Sequence, residues 1–275
     1  MSTSESIEEV ELDLLLDGVA RRYGYDFRDY ARGSLRRRVR NVMVDEGLPT
    51  FSALQERLLR DPDCFGRFIT GLSVNVTGMF RDPTVYLAFR RLVIPMLRTY
   101  PFIRVWHAGC ATGEEVYSLA ILLREEALYD RCLLYATDIS EAVLTRARRG
   151  VFPKAAMTRY ERLYRESGGT EDFSRYFVAD EENAIMSESL REKIVFSQHS
   201  LVSDRSFNEF NVIFCRNVLI YFNQNLRSRV HEILYESLVN FGVLVLGLKE
   251  VVAYTPHADR YEALDPEARI YRRVR

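Results

Sequence analysis

The segment Val105-Trp106-His107-Ala108-Gly109-Cys110-Ala111-Thr112-Gly113-Glu114-Glu115 restricts this chain more than any other. It leads from an apolar stretch of strand length straight into a helical one. Small residues at 109, 111 and 113 let the backbone turn sharply and let a ligand, with Gly109 among its contacts, lie against bare main chain. A dinucleotide fingerprint needs G-x-G-x-x-G, so that a pyrophosphate can rest on the helix N-terminus, and this sequence has G-x-A-x-G instead. The spacing suits a nucleoside ligand without phosphates and disfavours a nicotinamide dehydrogenase. A tight strand-to-helix turn with no ligand is the plainer alternative.

The segment sits in a longer alternation. Strands are predicted over 103–107, 132–137, 193–197, 211–215, 242–248 and 270–274, and helices over 114–128, 141–149 and 226–241. Strands alternating with helices imply crossover units, hence an α/β fold with a doubly wound, mostly parallel sheet covered on both faces. Such a sheet binds ligands beyond the carboxyl ends of its strands. The polar stretch 150–192, with Gly168-Gly169, interrupts the alternation and is expected to be a small inserted subdomain. The first seventy or so residues read differently, as helices joined by turns. Leu35, Val39, Val42 and Met43 recur at helical spacing, with Arg32, Arg36 and Arg40 stacked on a neighbouring face. Thr50 is placed to cap a helix whose apolar face is Phe51, Leu54, Leu58 and Leu59, and Asp61-Pro62 stops it. The expected division is a helical domain over 1–74 and a larger domain over 75–275.

Three further segments carry chemistry. Asp138 ends the second strand, where an acid can accept hydrogen bonds from ribose hydroxyls; its other reading is an N-cap for the helix at Glu141. The run 212–222 ends in Asn217 and Tyr221, which reach the same crevice or are incidental to a buried strand. The stretch Asn75-Val76-Thr77-Gly78-Met79-Phe80-Arg81-Asp82-Pro83 has neither helical nor strand regularity, and reads either as a loop with a specific task or as a plain linker.

Composition excludes several classes. The net charge of −1 rules out a generally basic nucleic-acid binder. Cys64, Cys110, Cys132 and Cys215 form no CxxC pair, and His107, His199, His231 and His257 lack metal-ligand spacing, so no metal is expected and the thiols are read as reduced and mostly core. The apolar run 241–248 falls well short of the roughly 20 residues that a spanning helix needs. Residues 1–9 are polar and acidic, unlike an export signal, so a cytoplasmic protein is expected, and a monomer.

Across nearly its whole length the sequence resembles the chemotaxis receptor methyltransferases, the CheR family. The motifs are N-V-T-G-M-F-R-D at 75–82, W-H-A-G-C-A-T-G-E-E-V-Y-S at 106–118, A-T-D-I-S at 136–140 and F-C-R-N-V-L-I-Y-F at 214–222, in family order and spacing. The resemblance implies a small N-terminal all-helical domain and a Rossmann-like domain carrying a small antiparallel β-subdomain. It also implies S-adenosylmethionine as cofactor, yielding S-adenosylhomocysteine, and transfer of its methyl group to receptor glutamate carboxylates. By the same resemblance, cofactor contacts fall on Asn75, Thr77, Arg81, Glu115, Asp138, Arg216 and Asn217, and Arg81 and Tyr221 orient the substrate carboxylate. Where the family often has Asn-Leu, this chain has Ser200-Leu201, so a backbone contact is expected there. Other departures are Met79 for a common Phe, Val116 for a common Pro, and Leu248-Lys249-Glu250-Val251 for an H-S-E-S-like segment. Receptor methylation regions are acidic helical coiled coils, and the helix with Arg32, Arg36, Arg37, Arg38 and Arg40 is the expected docking face, with Arg32, Arg36, Arg37 and Arg40 as its contacts. From Arg21 to Arg40 eight arginines face two aspartates, a local charge of +6. A merely solvated helix face is the bland alternative, and the competing functions are a regulatory module that binds the cofactor without transferring methyl, or a small-molecule methyltransferase.

Overall fold

A computed structural model describes residues 6–72, 77–253 and 255–274. Its chain order is α1 (Ile7–Tyr23), α2 (Arg32–Asp45), α3 (Phe51–Arg60), α4 (Pro62–Leu72), α5 (Pro83–Ala88), a π turn at Phe89–Val93, α6 (Ile94–Leu97), β1 (Ile103–Ala108), α7 (Glu114–Glu125), β2 (Cys132–Asp138), α8 (Glu141–Arg149), β3 (Val151–Pro153), α9 (Lys154–Glu166), β4 (Phe177–Ala179), β5 (Asn183–Met186), α10 (Glu188–Arg191), β6 (Ile194–Gln198), β7 (Phe210–Cys215), α11 (Gln224–Glu236), β8 (Leu238–Leu246), β9 (Tyr261–Asp265) and β10 (Ile270–Arg273). The chain divides into two compact units. One comprises residues 1–74 together with 220–229, and the other 75–219 together with 230–275.

The larger unit is built on a seven-stranded sheet in the order β6-β2-β1-β7-β8-β10-β9. The five strands from β6 to β8 run parallel, and β10 and β9 add to the edge antiparallel. Strand order reverses at β1, between β2 and β7, so the carboxyl ends of these three strands border the crevice where doubly wound sheets bind ligands. The apolar runs of β1 and β7 are buried on both faces, as parallel strands covered by helices must be. Trp106, fully buried, donates its indole N–H to Thr137 Oγ1 on β2 at 2.8 Å, so the one polar atom of the largest core residue is satisfied. Helix α7 buries Val116, Tyr117, Leu119, Ala120, Ile121, Leu122 and Leu123. A helix apolar on so many sides belongs inside.

The inserted stretch forms a three-stranded antiparallel sheet, β3-β5-β4, with the helix α9 between its first two strands in sequence. Two adjoining element boundaries differ most from the sequence reading. The last long helix ends at Glu236 rather than 241, and β8 starts at Leu238. Leu238 and Phe241 continue the helical spacing, but Leu238 pairs with Phe210 and the ladder shifts before Val243 meets Val212, with Phe241 at φ 64. This irregularity hides the strand's first half from periodicity. The edge strand β9 was also not foreseen, because Glu262 and Asp265 dilute its apolar signal.

In the helical unit Thr50 caps α3 by accepting from Ala53 N at 3.1 Å. Asp61 ends that helix and accepts from Asp63 N and Cys64 N, with Pro62 opening α4. The segment 220–229 is tied to this unit: Ala31 N donates to Tyr221 O, Asn223 N to Asp29 O, and the rings of Tyr30 and Phe222 meet edge to face at 5.0 Å. All four cysteines are buried free thiols. Among the described residues no helix is long and apolar enough to cross a membrane, and no group of three potential ligands could hold a metal ion.

Candidate functional site

Beyond the end of β1 the backbone adopts positive φ at every second residue: Gly109 at 78°, Ala111 at 48° and Gly113 at 92°. The left-handed region costs an alanine roughly 1–2 kcal/mol, and the surroundings hold Ala111 there. Its N–H donates to Asp138 Oδ2 at 3.0 Å, while Gly109 N and Cys110 N both donate to Thr137 O. At Gly109 a Cβ would lie 2.6 Å from Val218 Cγ2, so the positive φ and the close approach both require glycine.

Asp138 thus ties the first strand-to-helix turn to the second. Its Oδ1 accepts from Ser140 N at 3.1 Å, and the cap of α8 is Ser140, whose hydroxyl accepts from Val143 N. The N-cap reading of Asp138 is therefore replaced by a carboxylate braced between two turns. Burial pushes its carboxyl above the ordinary aspartate range, partly offset by the N–H groups of Ser140, Ala111 and Ile139.

Glu115 lies at the centre of a buried charge network. Its Oε1 is 3.1 Å from His107 Nδ1, and its Oε2 accepts from Arg216 at 2.9 Å. Burial raises the Glu115 carboxyl, but the His107 hydrogen bond and the Arg216 charge outweigh that and hold it below the usual range. Arg216 is almost wholly buried; it also donates to Asp82 Oδ2 at 2.8 Å and to Arg81 O at 3.1 Å. The His107 ring stacks on Phe214, with centroids 4.9 Å apart, and its Nε2 is buried with no hydrogen-bond partner. The arrangement joins β1, α7, the end of β7 and the 77–82 loop through one guanidinium.

The 77–82 loop is shaped rather than slack. Phe80 and Asp82 both take positive φ, Phe80 is fully buried, and its N–H donates to Ser118 Oγ at 2.9 Å on α7. Thr77 and Arg81 are half-buried in it. Asn75 lies outside the described residues. Asn217, at φ 60, follows Arg216 at the end of β7.

Ser200 and Leu201 follow β6 in a turn that uses its own polar groups. Ser200 N donates to Asp204 Oδ2, Ser200 O accepts from Asp204 N, and the hydroxyl accepts from Val202 N and Ser203 N. The main-chain N–H of Ser200 is thereby engaged locally, and Leu201 is mostly buried. Tyr221 belongs to the helical unit, where the Arg38 guanidinium lies over its ring at 4.8 Å. Arg38 itself is buried and donates to Leu72 O and to Ser34. Its neighbours on α2 are paired across to α1: Arg32 with Glu9 and Asp13, Arg36 with Glu9 at 2.6 Å, and Arg40 with Glu8. Arg37 is exposed. The local charge of +6 along the sequence is therefore largely met in space by the acids of α1.

Sequence reasoning passed over His107 and Asp82 as site-forming groups, and read Arg38 only as one of the docking arginines of α2, where it is instead buried. Asp82 and Arg38 acquire their parts from residues far away in the chain, and His107 from Glu115, eight residues on and brought back to it by the glycine turn, which spacing does not reveal. The polar set that remains suits a nucleoside with a charged tail: Asp138 can accept from ribose hydroxyls and Glu115 from a cation, beside a turn of bare backbone.

Comparison with known proteins agrees with this chemistry. Residues 75–267 match the model of the CheR methyltransferase SAM binding domain, and residues 10–73 match the CheR methyltransferase all-alpha domain. The chain is 47% identical over 271 residues to "Putative methyltransferase Cher3" of Pseudomonas putida, covering 98% of this chain and 99% of that protein. It is 30% identical over 236 residues to a chemotaxis protein methyltransferase of Listeria innocua, covering 85% of this chain and 87% of the relative. Chemotaxis protein methyltransferase 2 of Pseudomonas aeruginosa is 31% identical over 221 residues, covering 78% and 76%.

Proposed function

Because this chain belongs to the CheR methyltransferase family, we propose that it is a protein-glutamate O-methyltransferase that esterifies side chains of a chemoreceptor or related signalling protein. The observation that carries the reading is the crevice beyond β1 and β2, where a turn of bare backbone is braced against the Asp138 carboxylate with no pyrophosphate glycine pattern. Asp138 is assigned the ribose hydroxyls, and Glu115 the ammonium group of the methionyl part. Gly109, Thr77, Asn217 and Leu201 border the ligand, and Asn75 joins them by family resemblance. Arg216 acts by holding Glu115, and Ser200 by shaping its turn.

Bound S-adenosylmethionine supplies a methyl group on a positively charged sulfur. A glutamate carboxylate, with an ordinary pKa of about 4.3, is already ionised at neutral pH, so the enzyme needs no general base. Its residues have to align the acceptor oxygen, and holding it within about 3–3.5 Å of the methyl removes several kcal/mol of the barrier. Transfer neutralises both charges. A tight ion pair to the incoming carboxylate stabilises the ground state more than the transition state and slows the reaction. Arg81 and Tyr221, matched through the family resemblance, are therefore assigned to orienting that carboxylate rather than neutralising it.

The substrate is taken to be an acidic helical coiled coil, met by Arg32, Arg36, Arg37 and Arg40 of α2 in the cytoplasm by a monomeric enzyme. The ion pairs from Arg32, Arg36 and Arg40 to α1 are partly exposed, and such pairs exchange partners at little cost. Incubation with tritiated S-adenosylmethionine and receptor-containing membranes tests the reading: base-labile label on a receptor-sized protein, released as volatile methanol, is expected. Label resistant to alkali, or none on protein, contradicts it. Arg81→Ala is expected to lower turnover at least tenfold while the fold persists, measured in the same assay; unchanged transfer removes Arg81 from its role.

A further inference from the structure

The turn after β7 carries Arg216 and Asn217, and it is held by a group that stands outside the network around Glu115. Glu250 is buried, 4% exposed, and lies in the loop that follows β8. Its Oε2 accepts from Asn217 N at 2.9 Å and from Gly247 N at 2.7 Å, while its Oε1 accepts from Leu219 N at 2.8 Å. A buried carboxylate is costly unless its oxygens are hydrogen-bonded, and three main-chain N–H groups meet that need. Two of the three belong to the turn that carries site residues.

The fit is tight on the other side as well. A Cβ on Gly247 would lie 2.6 Å from Glu250 Oε2, 2.8 Å from Asn217 N and 2.9 Å from Asn217 Nδ2. Gly247 thus leaves room for the carboxylate to reach Asn217, and Glu250 N donates back to Gly247 O at 2.8 Å, closing its own loop. Asn217 sits at φ 60, in the left-handed region, which asparagine tolerates better than other non-glycine residues but which still needs a constraint to become the single conformation of the turn. The Asn217 N–H bond to Glu250 is that constraint. Arg216 immediately precedes it, so the angle at which the guanidinium leaves β7 toward Glu115 and Asp82 follows from the same turn.

We infer that Glu250 is a positioning residue for the cofactor site: its carboxylate, seated against Gly247, fixes the left-handed turn at Asn217 and through it the Arg216–Glu115 pair. The inference rests on the cofactor assignment made above. It gives a role to Glu250, the one residue of 248–251 that keeps the residue of the H-S-E-S-like pattern.

The test uses the full chain and S-adenosylhomocysteine as probe, by calorimetric titration with thermal unfolding in parallel. Glu250→Gln replaces one acceptor oxygen by an amide that donates toward N–H groups, and is expected to weaken binding at least tenfold. Glu250→Asp keeps the charge with a shorter reach, and is expected to fall between the two. Affinity for Glu250→Gln equal to that of the native chain overturns the inference. So does equal loss in both variants that merely tracks a common fall in melting temperature, the mark of a purely structural group. If Glu250→Gln does not fold, the native protein decides by amide exchange: the N–H groups of Asn217, Leu219 and Gly247 are expected to be protected and to gain protection together when the probe is added, and independent or unchanged behaviour overturns the proposal. Failure of the native chain itself to bind the probe strikes the cofactor assignment instead.

Discussion

The strand-end crevice and the arginine face of α2 both carry many charges, but they use them in opposite ways. In the crevice each charged group is committed to fixed partners: Arg216 to Glu115, Asp82 and a main-chain carbonyl, and Asp138 to two main-chain N–H groups. These bonds hold backbone in the left-handed region and so preserve the shape of a site. On α2 the exposed guanidinium groups of Arg32, Arg36 and Arg40 meet partly exposed carboxylates of α1, where pairs are cheaper to make and to break than around the buried Arg216. The first arrangement suits a ligand of one shape. The second suits a surface that meets a flexible or variable partner. A count of charges along the sequence cannot tell them apart, because burial and the partner across the fold make the distinction.

The contrast can be tested in decreasing order of effect. Arg216→Met leaves the Glu115 and Asp82 carboxylates together without their cation. Because both retain some contact with water, the loss is placed at the low end for a broken buried pair, about 3 kcal/mol of unfolding free energy by denaturant titration of the sheet unit. A loss below about 1 kcal/mol makes the crevice no different from the surface.

Acid provides a second test. Burial raises the Asp138 carboxyl, so its charged form is disfavoured in the fold, and the cost that this imposes at neutral pH is relieved as pH falls through the raised value. After the opposing effect of burial, Glu115 is held low by His107 and Arg216; its stabilising contribution is complete above its unfolded pKa and is lost only as pH falls through the depressed one. Affinity for S-adenosylhomocysteine, titrated between pH 7 and 4 alongside thermal unfolding, is therefore expected to fall before the fold does. Simultaneous loss contradicts the separation of the two carboxyls.

The smallest effect is expected on α2. Arg36→Ala should change unfolding free energy by less than about 1 kcal/mol, since Arg36 is exposed and Glu9 keeps Arg32 as a partner, and whatever change occurs should shrink with added salt. A change above about 2 kcal/mol makes α2 a structural face.

The alternation of strands and helices, the glycine turn and the place of Asp138 at the end of the second strand were legible because they are written in local residue pattern. Thr50 and the Asp61-Pro62 stop were legible for the same reason, since capping depends on neighbours in sequence. The first half of β8 was not, because its ladder is irregular and its apolar residues keep helical spacing. The capping of α8 fell to Ser140 rather than Asp138, as both residues are acceptable caps and only the ties of Asp138 to Ala111 and Ser140 distinguish them. Asp82 and Glu250 were invisible as site residues because each reaches its partner across the fold, and His107 because only the shape of the glycine turn brings Glu115, eight residues on, back to its ring. The neutralisation of α2 was invisible because the acids of α1 lie some twenty to thirty residues earlier in the chain.

The most direct measurement is calorimetric titration of the native chain and of Asp138→Ala with S-adenosylhomocysteine, with circular dichroism to verify the fold. Loss of a charged hydrogen-bond acceptor is worth about 1.5–3 kcal/mol, so one equivalent bound by the native chain and affinity at least tenfold lower in the folded variant are expected. Native protein that takes up none of the compound, or a folded variant that binds it equally well, contradicts the assignment of the crevice.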